Sequence, residues 1–405
     1  RFTDRAELEA WQQRKLGQFR RRVLRRSPWF QRYLGQSFAQ WPQMDKALMM
    51  THFDEMNTEG LQQETLLACA RQAEQSRDFS VGLSSGTSGR RGLFVVSPAE
   101  QQLWAGTLLA KVLPDGLLAG ERVALFLRAD SNLYQSVNNR WLSLAFYDLL
   151  AAFMPQLARL EAQNPTLIVA PAQVLRALAL EVQAGRISLN VKKVISVAEV
   201  LEARDRALLE QVFGNVGEIY QATEGFLGVT CAHGTLHLNE EFIHVEPEWI
   251  DDRRFTPLIT DFTRSTQPIV RYRLDDVLTV RDTPCPCGSA ARAISHIEGR
   301  QDDQLLLADV AGGTRIVFAD ACSRVLATVL PLDADYRLCQ VDKHVLELNA
   351  EGDNILLNAC RQALEALFSR QDVDIRQLEW RLASVLPQAV SDSKRRRIIR
   401  QWRPE

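Results

Sequence analysis

The sequence predicts an α/β protein with a large N-terminal domain and a small α+β C-terminal domain. In the middle of the chain, short apolar runs alternate with helical stretches, a pattern typical of a parallel sheet covered by helices. After about residue 226 the strand-like segments become antiparallel in character, and the last part of the chain has separate strand and helix signals. A polar stretch at 299–303 divides these parts. We therefore expect domains of residues 1–300 and 301–405.

Length and composition fit a globular protein with a sizeable core. The 405 residues are 46% hydrophobic and 24% charged, with a formal net charge of -2. This balance disfavours disorder and gives no argument for a nucleic-acid partner. The most apolar stretch, 143–160, is interrupted by Asp148, so no membrane span is expected. Seven cysteines form no obvious disulfide framework, and the opening residues do not have the pattern expected of a signal peptide, so we expect a cytoplasmic protein.

The first eighty residues are predicted to be mostly helical. Apolar residues recur there at helical spacing between many basic ones, and Ser27-Pro28 ends the first helix. Such a basic helix could dock on a membrane or nucleic acid, but more often its apolar stripe packs on the protein's own core. We expect the second arrangement. The stripe consists of Leu8, Trp11, Leu16, Phe19, Val23 and Leu24.

Residues 81–225 are predicted to form the parallel layer. Apolar runs at 123–128, 166–170 and 193–197 are the expected strands, with helices at 173–184 and 201–213. Residues 226–298 are predicted to be rich in β-structure, with strands at 257–260 and 269–272. In the C-terminal part, 345–348 is an expected strand and 359–369 an expected helix.

The segment 84–89 has the composition of a phosphate-binding loop. It reads Ser-Ser-Gly-Thr-Ser-Gly, and Arg90 and Arg91 follow it. Glycines let a backbone turn its N–H groups toward phosphate oxygens, hydroxyls add further donors, and arginines add fixed positive charge. The alternative is a surface turn. The loop is not a Walker A motif, because arginine follows its last glycine where that motif has lysine.

This loop resembles the signature loop of the adenylate-forming superfamily, which includes acyl-CoA ligases, peptide-synthetase adenylation domains and luciferases. Further similar motifs follow in the family's order, from about residue 10 to the end of the chain. The resemblance is closest to the phenylacetate-CoA ligase branch, and within it to relatives of the synthetase that adenylylates a deazaflavin coenzyme. The other motifs are Ser-Val-Ala-Glu-Val at 196–200, Tyr-Gln-Ala-Thr-Glu-Gly at 220–225, Arg-Tyr-Arg-Leu-Asp-Asp at 271–276, Gly-Arg-Gln-Asp-Asp at 299–303, and Lys394.

The resemblance implies a role for each matching residue. Thr223 would touch the α-phosphate of ATP, Glu224 would hold Mg²⁺, and Lys394 would approach the carboxylate and the α-phosphate. Tyr220 would stack on adenine, and Asp276 would accept hydrogen bonds from the ribose hydroxyls. The implied nucleotide-binding set is completed by Ser84, Ser85, Gly86, Thr87, Ser88, Gly89, Ala198, Glu199, Gln221 and Arg300.

Three departures from the family pattern stand out. Leu274-Asp275 replaces the Thr-Gly pair before the ribose aspartate, so Asp275 competes with Asp276 for that role, and spacing favours Asp276. Gln221 replaces a glycine near the expected substrate carboxylate, and Arg90-Arg91 replaces a Pro-Lys pair. None of these changes removes a group that the chemistry requires.

A second constellation predicts a structural zinc site. Cys231 and His237 follow the Thr-Glu motif, and Cys285-Pro-Cys287 lies about fifty residues further on. Three thiolates and an imidazole suit a closed tetrahedral Zn²⁺ site. His233 is the competing nitrogen ligand; similar phenylacetate-CoA ligase-like chains favour His237. The alternative is a set of ordinary buried residues.

We therefore expect an enzyme that activates a small carboxylic acid with ATP and Mg²⁺, releasing pyrophosphate. It would then pass the acyl group to a thiol, on coenzyme A or a carrier protein, or to an amine. A nucleotidyltransferase that leaves AMP on its substrate and an inactive nucleotide-binding relative remain alternatives. Asn132 and Tyr134 follow a predicted strand and are candidates for the acyl pocket, although an ordinary strand-to-helix loop fits equally well.

Overall fold

The computed structural model describes residues 2–72, 79–83, 92–127, 138, 140–198, 201, 203–274, 276–298, 305–317, 319–331, 334, 336–386 and 398–402. The α-helices within these ranges are α1 (Arg5–Arg22), α2 (Pro28–Gln31), α3 (Lys46–Thr51), α4 (Phe53–Met56), α5 (Gln63–Gln72), α6 (Pro98–Val112), α7 (Phe153–Gln163), α8 (Ala172–Gln183), α9 (Ala203–Phe213), α10 (Ala319–Val329) and α11 (Asn354–Arg370). Short 3₁₀ helices span Leu24–Arg26, Phe38–Gln40 and Ile375–Gln377.

The strands of the described residues fall into four sheets. Their bounds are β1 (Ser80–Leu83), β2 (Leu93–Val96), β3 (Glu121–Leu127), β4 (Leu142–Asp148), β5 (Leu167–Ala170), β6 (Lys193–Ser196), β7 (Val216–Ala222), β8 (Gly225–Thr230), β9 (Leu236–Leu238), β10 (Ile243–Trp249), β11 (Arg254–Asp261), β12 (Ile269–Arg273), β13 (Val277–Val280), β14 (Ala293–Glu298), β15 (Leu305–Ala308), β16 (Thr314–Val317), β17 (Tyr336–Gln340), β18 (Val345–Ala350), β19 (Glu379–Ala383) and β20 (Ile398–Arg400).

The largest sheet has twelve strands and changes character at β7. On one side of β7 the strands run in the order β4-β3-β5-β6-β7, and all neighbours are parallel. On the other side, β8, β9, β14, β13, β11 and β10 continue the sheet with antiparallel pairings, and β12 pairs with β11. The strands β5 and β6 are buried along their whole length, as expected for parallel strands covered on both faces.

The predicted fold class is confirmed: a mixed α/β sheet flanked by helices, followed by a smaller α+β part. In the smaller part, strands β17 to β20 form a four-stranded sheet, against which α10 and α11 pack. The domain boundary that we place at 299–303 lies wholly outside the described residues. Among the described residues, no helix is long and apolar enough to cross a membrane.

Helix α1 shows why the basic N-terminal segment folds as it does. Asp4 caps its first turn by accepting a hydrogen bond from the Glu7 N–H, and Leu8, Leu16 and Phe19 are buried on one face. The helix ends at Arg22, before the predicted Ser27-Pro28 stop, and Ser27 instead caps α2. The apolar face therefore packs on the protein's own core.

Candidate functional site

Two sequence motifs that lie 56 residues apart meet through one hydrogen bond. The Tyr220 hydroxyl, at the end of β7, donates to Asp276 Oδ2 at 2.9 Å. Tyr220 is only 8% exposed. Burial, together with the nearby carboxylates of Asp276 and Glu224, raises the pKa of Tyr220 well above its usual value, so the hydroxyl stays a proton donor. Of the two aspartates that competed for the ribose role, Asp275 lies outside the described residues.

Thr223 and Glu224 form the tight turn between β7 and β8, directly after Tyr220. Glu224 is 8% exposed, and no described residue donates a hydrogen bond to its carboxylate. The next residue is Gly225, where an added Cβ would lie 2.7 Å from Asp261 Oδ2. A side chain at this position would therefore push the turn away from β11. Gln221, the departure from the family pattern, is exposed.

Ala198 lies just after β6, at the carboxyl end of the parallel strands, where folds of this kind bind ligands. Its φ of 67° is in the left-handed region, which glycine occupies readily and alanine only with strain. The backbone here is thus held in a conformation that local sequence preference does not explain.

The structure leaves several predicted site residues outside the described ranges. They comprise the phosphate loop, the second adenine-motif residue, the hinge arginine, the late lysine and both acyl-pocket candidates. These residues are Ser84, Ser85, Gly86, Thr87, Ser88, Gly89, Asn132, Tyr134, Glu199, Arg300 and Lys394.

Sequence analysis missed a polar segment behind the Thr223–Glu224 turn. Residues 261–267, which we call the brace, connect β11 to β12. Asp261 is 2% exposed and accepts hydrogen bonds from the N–H and hydroxyl of Thr263. Burial raises the pKa of its carboxyl, while those hydrogen bonds oppose the shift. None of the motifs described above covers this segment, and its importance emerges only from contacts with distant residues.

Cys231, His237, Cys285 and Cys287 come together in one cluster, and their ligand atoms all lie within 4.8 Å of one another. The sulfurs of Cys231 and Cys285 are 3.7 Å apart, and Cys287 Sγ is 3.3 Å from His237 Nε2. Two sulfurs that each lie about 2.3 Å from a tetrahedral zinc ion are separated by about 3.8 Å, so this spacing fits a shared metal. His233, the competing ligand, is exposed and is not one of the four.

The surroundings of the cluster suit metal ligation. His237 Nδ1 lies 2.9 Å from the Ala291 carbonyl oxygen, which leaves Nε2 facing the sulfurs. The pKa of Cys285 is lowered to about 5: burial would raise it, but hydrogen bonds from Thr235, Cys287 and His237 outweigh burial. Burial and the neighbouring sulfurs raise the pKa of Cys287. A divalent cation would relieve this crowding of thiolates.

No protein-family model and no curated protein sequence matches the chain. Solved structures of 2-hydroxyisobutyryl-CoA ligase do match its fold. The complex of that ligase with 2-HIB-AMP and CoA in the thioesterification state covers 98% of this chain and 90% of that chain, with a TM-score of 0.57 and 16% identity. The complex with 2-HIB-AMP in the postadenylation state covers 97% and 89%, with a TM-score of 0.56 and 14% identity. The chain therefore has the fold of an adenylate-forming ligase.

Proposed function

We propose that this protein is an ATP-dependent ligase that activates a carboxylic acid as its acyl-adenylate and releases pyrophosphate. The observation that carries the proposal is the hydrogen bond between Tyr220 and Asp276. It joins the Tyr-x-Ala-Thr-Glu motif to the aspartate motif at the point where the twelve-stranded sheet changes from parallel to antiparallel. A nucleotide lying against this pair would have its base near Tyr220, its ribose near Asp276 and its α-phosphate near the Thr223–Glu224 turn.

Each described residue then has a physical task. The Asp276 carboxylate has acceptor capacity beyond the Tyr220 hydrogen bond, which suits a pair of ribose hydroxyls. The buried Glu224 carboxylate would hold Mg²⁺, which supplies positive charge beside the phosphate oxygens. Attack by a carboxylate oxygen on the α-phosphate breaks the bond to pyrophosphate, and positioned donors and cations stabilise the charge that develops. Lys394 and the 84–89 loop are proposed to supply further cationic and hydrogen-bonding groups.

The acceptor that follows adenylation is a thiol or an amine. The structurally similar 2-hydroxyisobutyryl-CoA ligase is a CoA ligase by name, and its complexes contain an acyl-AMP and CoA. A free thiol such as CoA, a carrier-protein arm and an amine are all nucleophiles that can displace AMP from an acyl-adenylate. The proposed likeness to phenylacetate-CoA ligases rests on the sequence motifs alone. The proposed cytoplasmic location rests on cysteine usage: all seven cysteines are described, and no disulfide joins them.

The test is ATP–pyrophosphate exchange with a panel of carboxylic acids, followed by mass spectrometry of products formed with CoA and with amines. We expect acid-dependent exchange in the wild-type protein and at least a hundredfold loss in Asp276→Ala, since removal of one positioned group has effects of about this size. Asp252→Ala, an exposed aspartate, is the control. AMP attached to a substrate without exchange would favour a nucleotidyltransferase. The absence of both exchange and ATP binding would favour an inactive relative.

We also propose that Cys231, His237, Cys285 and Cys287 hold a structural Zn²⁺. The support is the ligand spacing, the chemistry of three thiolates with one imidazole, and the orientation of His237 by a backbone carbonyl. All four tetrahedral positions are filled by side chains, so the ion would have no open position for a water molecule. Its contribution would be to folding.

A further inference from the structure

Arg264 lies in the brace and connects two parts of the chain that are far apart in sequence. Its Nη1 donates to the Thr223 carbonyl oxygen at 3.2 Å, in the turn that carries Glu224. Its Nη2 donates to the Val95 carbonyl oxygen at 3.3 Å, in strand β2. Strand β2 is one arm of the β1–β2 hairpin, whose connection contains the 84–89 loop. One guanidinium therefore bridges the proposed Thr-Glu site and the arm of the proposed phosphate loop.

Gln267, at the other end of the brace, holds the same arm. Its side-chain amide accepts a hydrogen bond from the Val95 N–H at 2.9 Å and donates to the Leu93 carbonyl oxygen at 3.1 Å. This pair of hydrogen bonds imitates the pairing that a neighbouring strand would give to β2. Gln267 is 2% exposed, so water does not compete for these groups. The distance between β2 and the brace is thereby fixed.

The helix that follows β2 is attached to the brace as well. Glu100, in the first turn of α6, accepts hydrogen bonds from the Ser265 N–H at 2.5 Å and the Thr266 N–H at 2.9 Å. Thus β2, the start of α6 and the Thr223–Glu224 turn are all fastened to seven consecutive residues.

We propose that Arg264 is a positioning residue: it holds strand β2 and the Thr223–Glu224 turn at a fixed spacing, which the turn needs in order to bind the phosphates of ATP. This inference rests on the proposed function. Arg264 is 8% exposed, and its Nε has no hydrogen-bond partner among the described residues. Because the side chain is buried, water does not compete for its hydrogen bonds to the Thr223 and Val95 carbonyl oxygens.

The proposal predicts that Arg264 affects phosphate binding and leaves nucleoside binding unchanged. Lysine keeps the positive charge but lacks the planar guanidinium that bonds to two carbonyl oxygens at once. Arg264→Lys therefore tests whether the bridge between the two carbonyls matters or whether the positive charge alone is enough. We expect Arg264→Gln and Arg264→Lys both to weaken ATP binding about tenfold to a hundredfold, because small displacements of binding groups have effects of this size. Binding of adenosine, which has no phosphate, is expected to stay within about twofold of the wild type.

The experiment is isothermal titration calorimetry of the protein with ATP and, separately, with adenosine. ATP–pyrophosphate exchange kinetics and a thermal melt are also measured for each variant. Arg20→Gln is the matched control, because Arg20 also donates to two backbone carbonyls, those of Leu34 and Gln36, but contacts neither motif. Should Arg264→Gln fail to fold, Gln267→Met tests the same connection from its other end. The same loss of ATP binding with retained adenosine binding is expected.

Two results would overturn this inference. The first is wild-type ATP affinity and exchange in the Arg264 variants; the second is an equal loss of ATP and adenosine binding, which indicates general damage to the fold. Recovery of ATP affinity in Arg264→Lys would also overturn it, because charge alone would then suffice. A wild-type protein that binds ATP but shows no exchange with any acid would count against the proposed ligase, while the binding comparison would still test Arg264.

Discussion

Glu100 is a buried carboxylate whose environment decides its charge. Its two oxygens accept hydrogen bonds from Ser97 on one side and from Ser265 and Thr266 on the other. Burial would raise the pKa of Glu100, but these hydrogen bonds outweigh burial and lower it. A carboxyl group with a lowered pKa contributes stability above its unfolded-state pKa, and this stability is lost as the pH falls through the folded-state pKa.

We therefore expect Glu100→Gln to destabilise the protein at neutral pH and to matter little in acid. At pH 7 the free energy of unfolding should fall by about 1–3 kcal/mol, the usual cost of breaking hydrogen bonds to a buried charged group. The difference from wild type should shrink below about pH 4.3, where the unfolded-state carboxyl becomes protonated. Denaturant unfolding at pH 7, 5 and 3 measures this, with the exposed Glu64→Gln as control. An equal difference at all three pH values would contradict it.

Individual residues also show which conformations and contacts the sequence alone does not predict. The sequence predicted a strand at 193–197, which ends just before Ala198, but it did not predict the left-handed conformation of Ala198, because alanine gives no local signal for it. Arg264 and Gln267 lie in an ordinary Thr-Arg-Ser-Thr-Gln stretch. Their significance depends on contacts with Leu93 and Val95, about 170 residues earlier in the chain. Such contacts exist only once the chain has folded.

At the level of elements, the most apolar strands were the easiest to predict. The runs predicted at 166–170 and 193–197 correspond to β5 and β6, and the helix predicted at 173–184 corresponds to α8. Both strands are buried along their whole length: β5 is continuously apolar, and β6 has an apolar centre between Lys193 and Ser196. Strand β4 was not predicted. It lies at the edge of the sheet and is only partly buried, so its polar positions weaken the signal.

The cysteine cluster connects two β-hairpins, β8–β9 and β13–β14. Cys231 lies just after β8 and His237 in β9, whereas Cys285 and Cys287 lie in the connection between β13 and β14. Backbone pairing between β9 and β14 covers just two residue pairs, Ala293 with His237 and Ile294 with Leu236. A metal ion shared by both hairpins would therefore strengthen a short junction in the middle of the sheet.

Loss of this ion should be measurable. We expect about one zinc per molecule in the wild-type protein by elemental analysis, and clearly less in Cys285→Ser, together with a lower melting temperature. Cys69→Ser, which changes a cysteine that is not one of the four clustered residues, should keep its zinc. Less than one equivalent in the wild-type protein and in Cys285→Ser alike would contradict the zinc proposal.

On the scale of the whole molecule, the described residues form separate hydrophobic cores. One core is built from residues 305–398, and among the described hydrophobic residues Leu150 is the only earlier one that packs against it. The other cores draw on residues between 19 and 297. A further contact is the hydrogen bond from the Gln371 side chain to the Leu149 carbonyl oxygen, at 3.2 Å. This division agrees with the two domains that the sequence predicts, which remain a prediction.

If the two parts fold as separate units, calorimetry should show two unfolding transitions. Leu338 and Leu278 are both fully buried, one in each part. We expect Leu338→Ala to lower the melting temperature of one transition and Leu278→Ala that of the other, because each substitution removes about 2–5 kcal/mol from its own core. A single transition that both substitutions shift equally would show that the chain unfolds as one unit.

Strand β7 has a consequence for how ligand binding and folding are coupled. It pairs in parallel with β6 and antiparallel with β8, so it is the seam along which two differently built halves of the sheet are joined. Tyr220 is in β7, and its partner Asp276 comes from the antiparallel half, just before β13. A ligand that contacts both halves of the sheet would bind only while the two halves are paired along β7. By mass action, such a ligand would then stabilise the pairing of the two halves, and loss of that pairing would release the ligand.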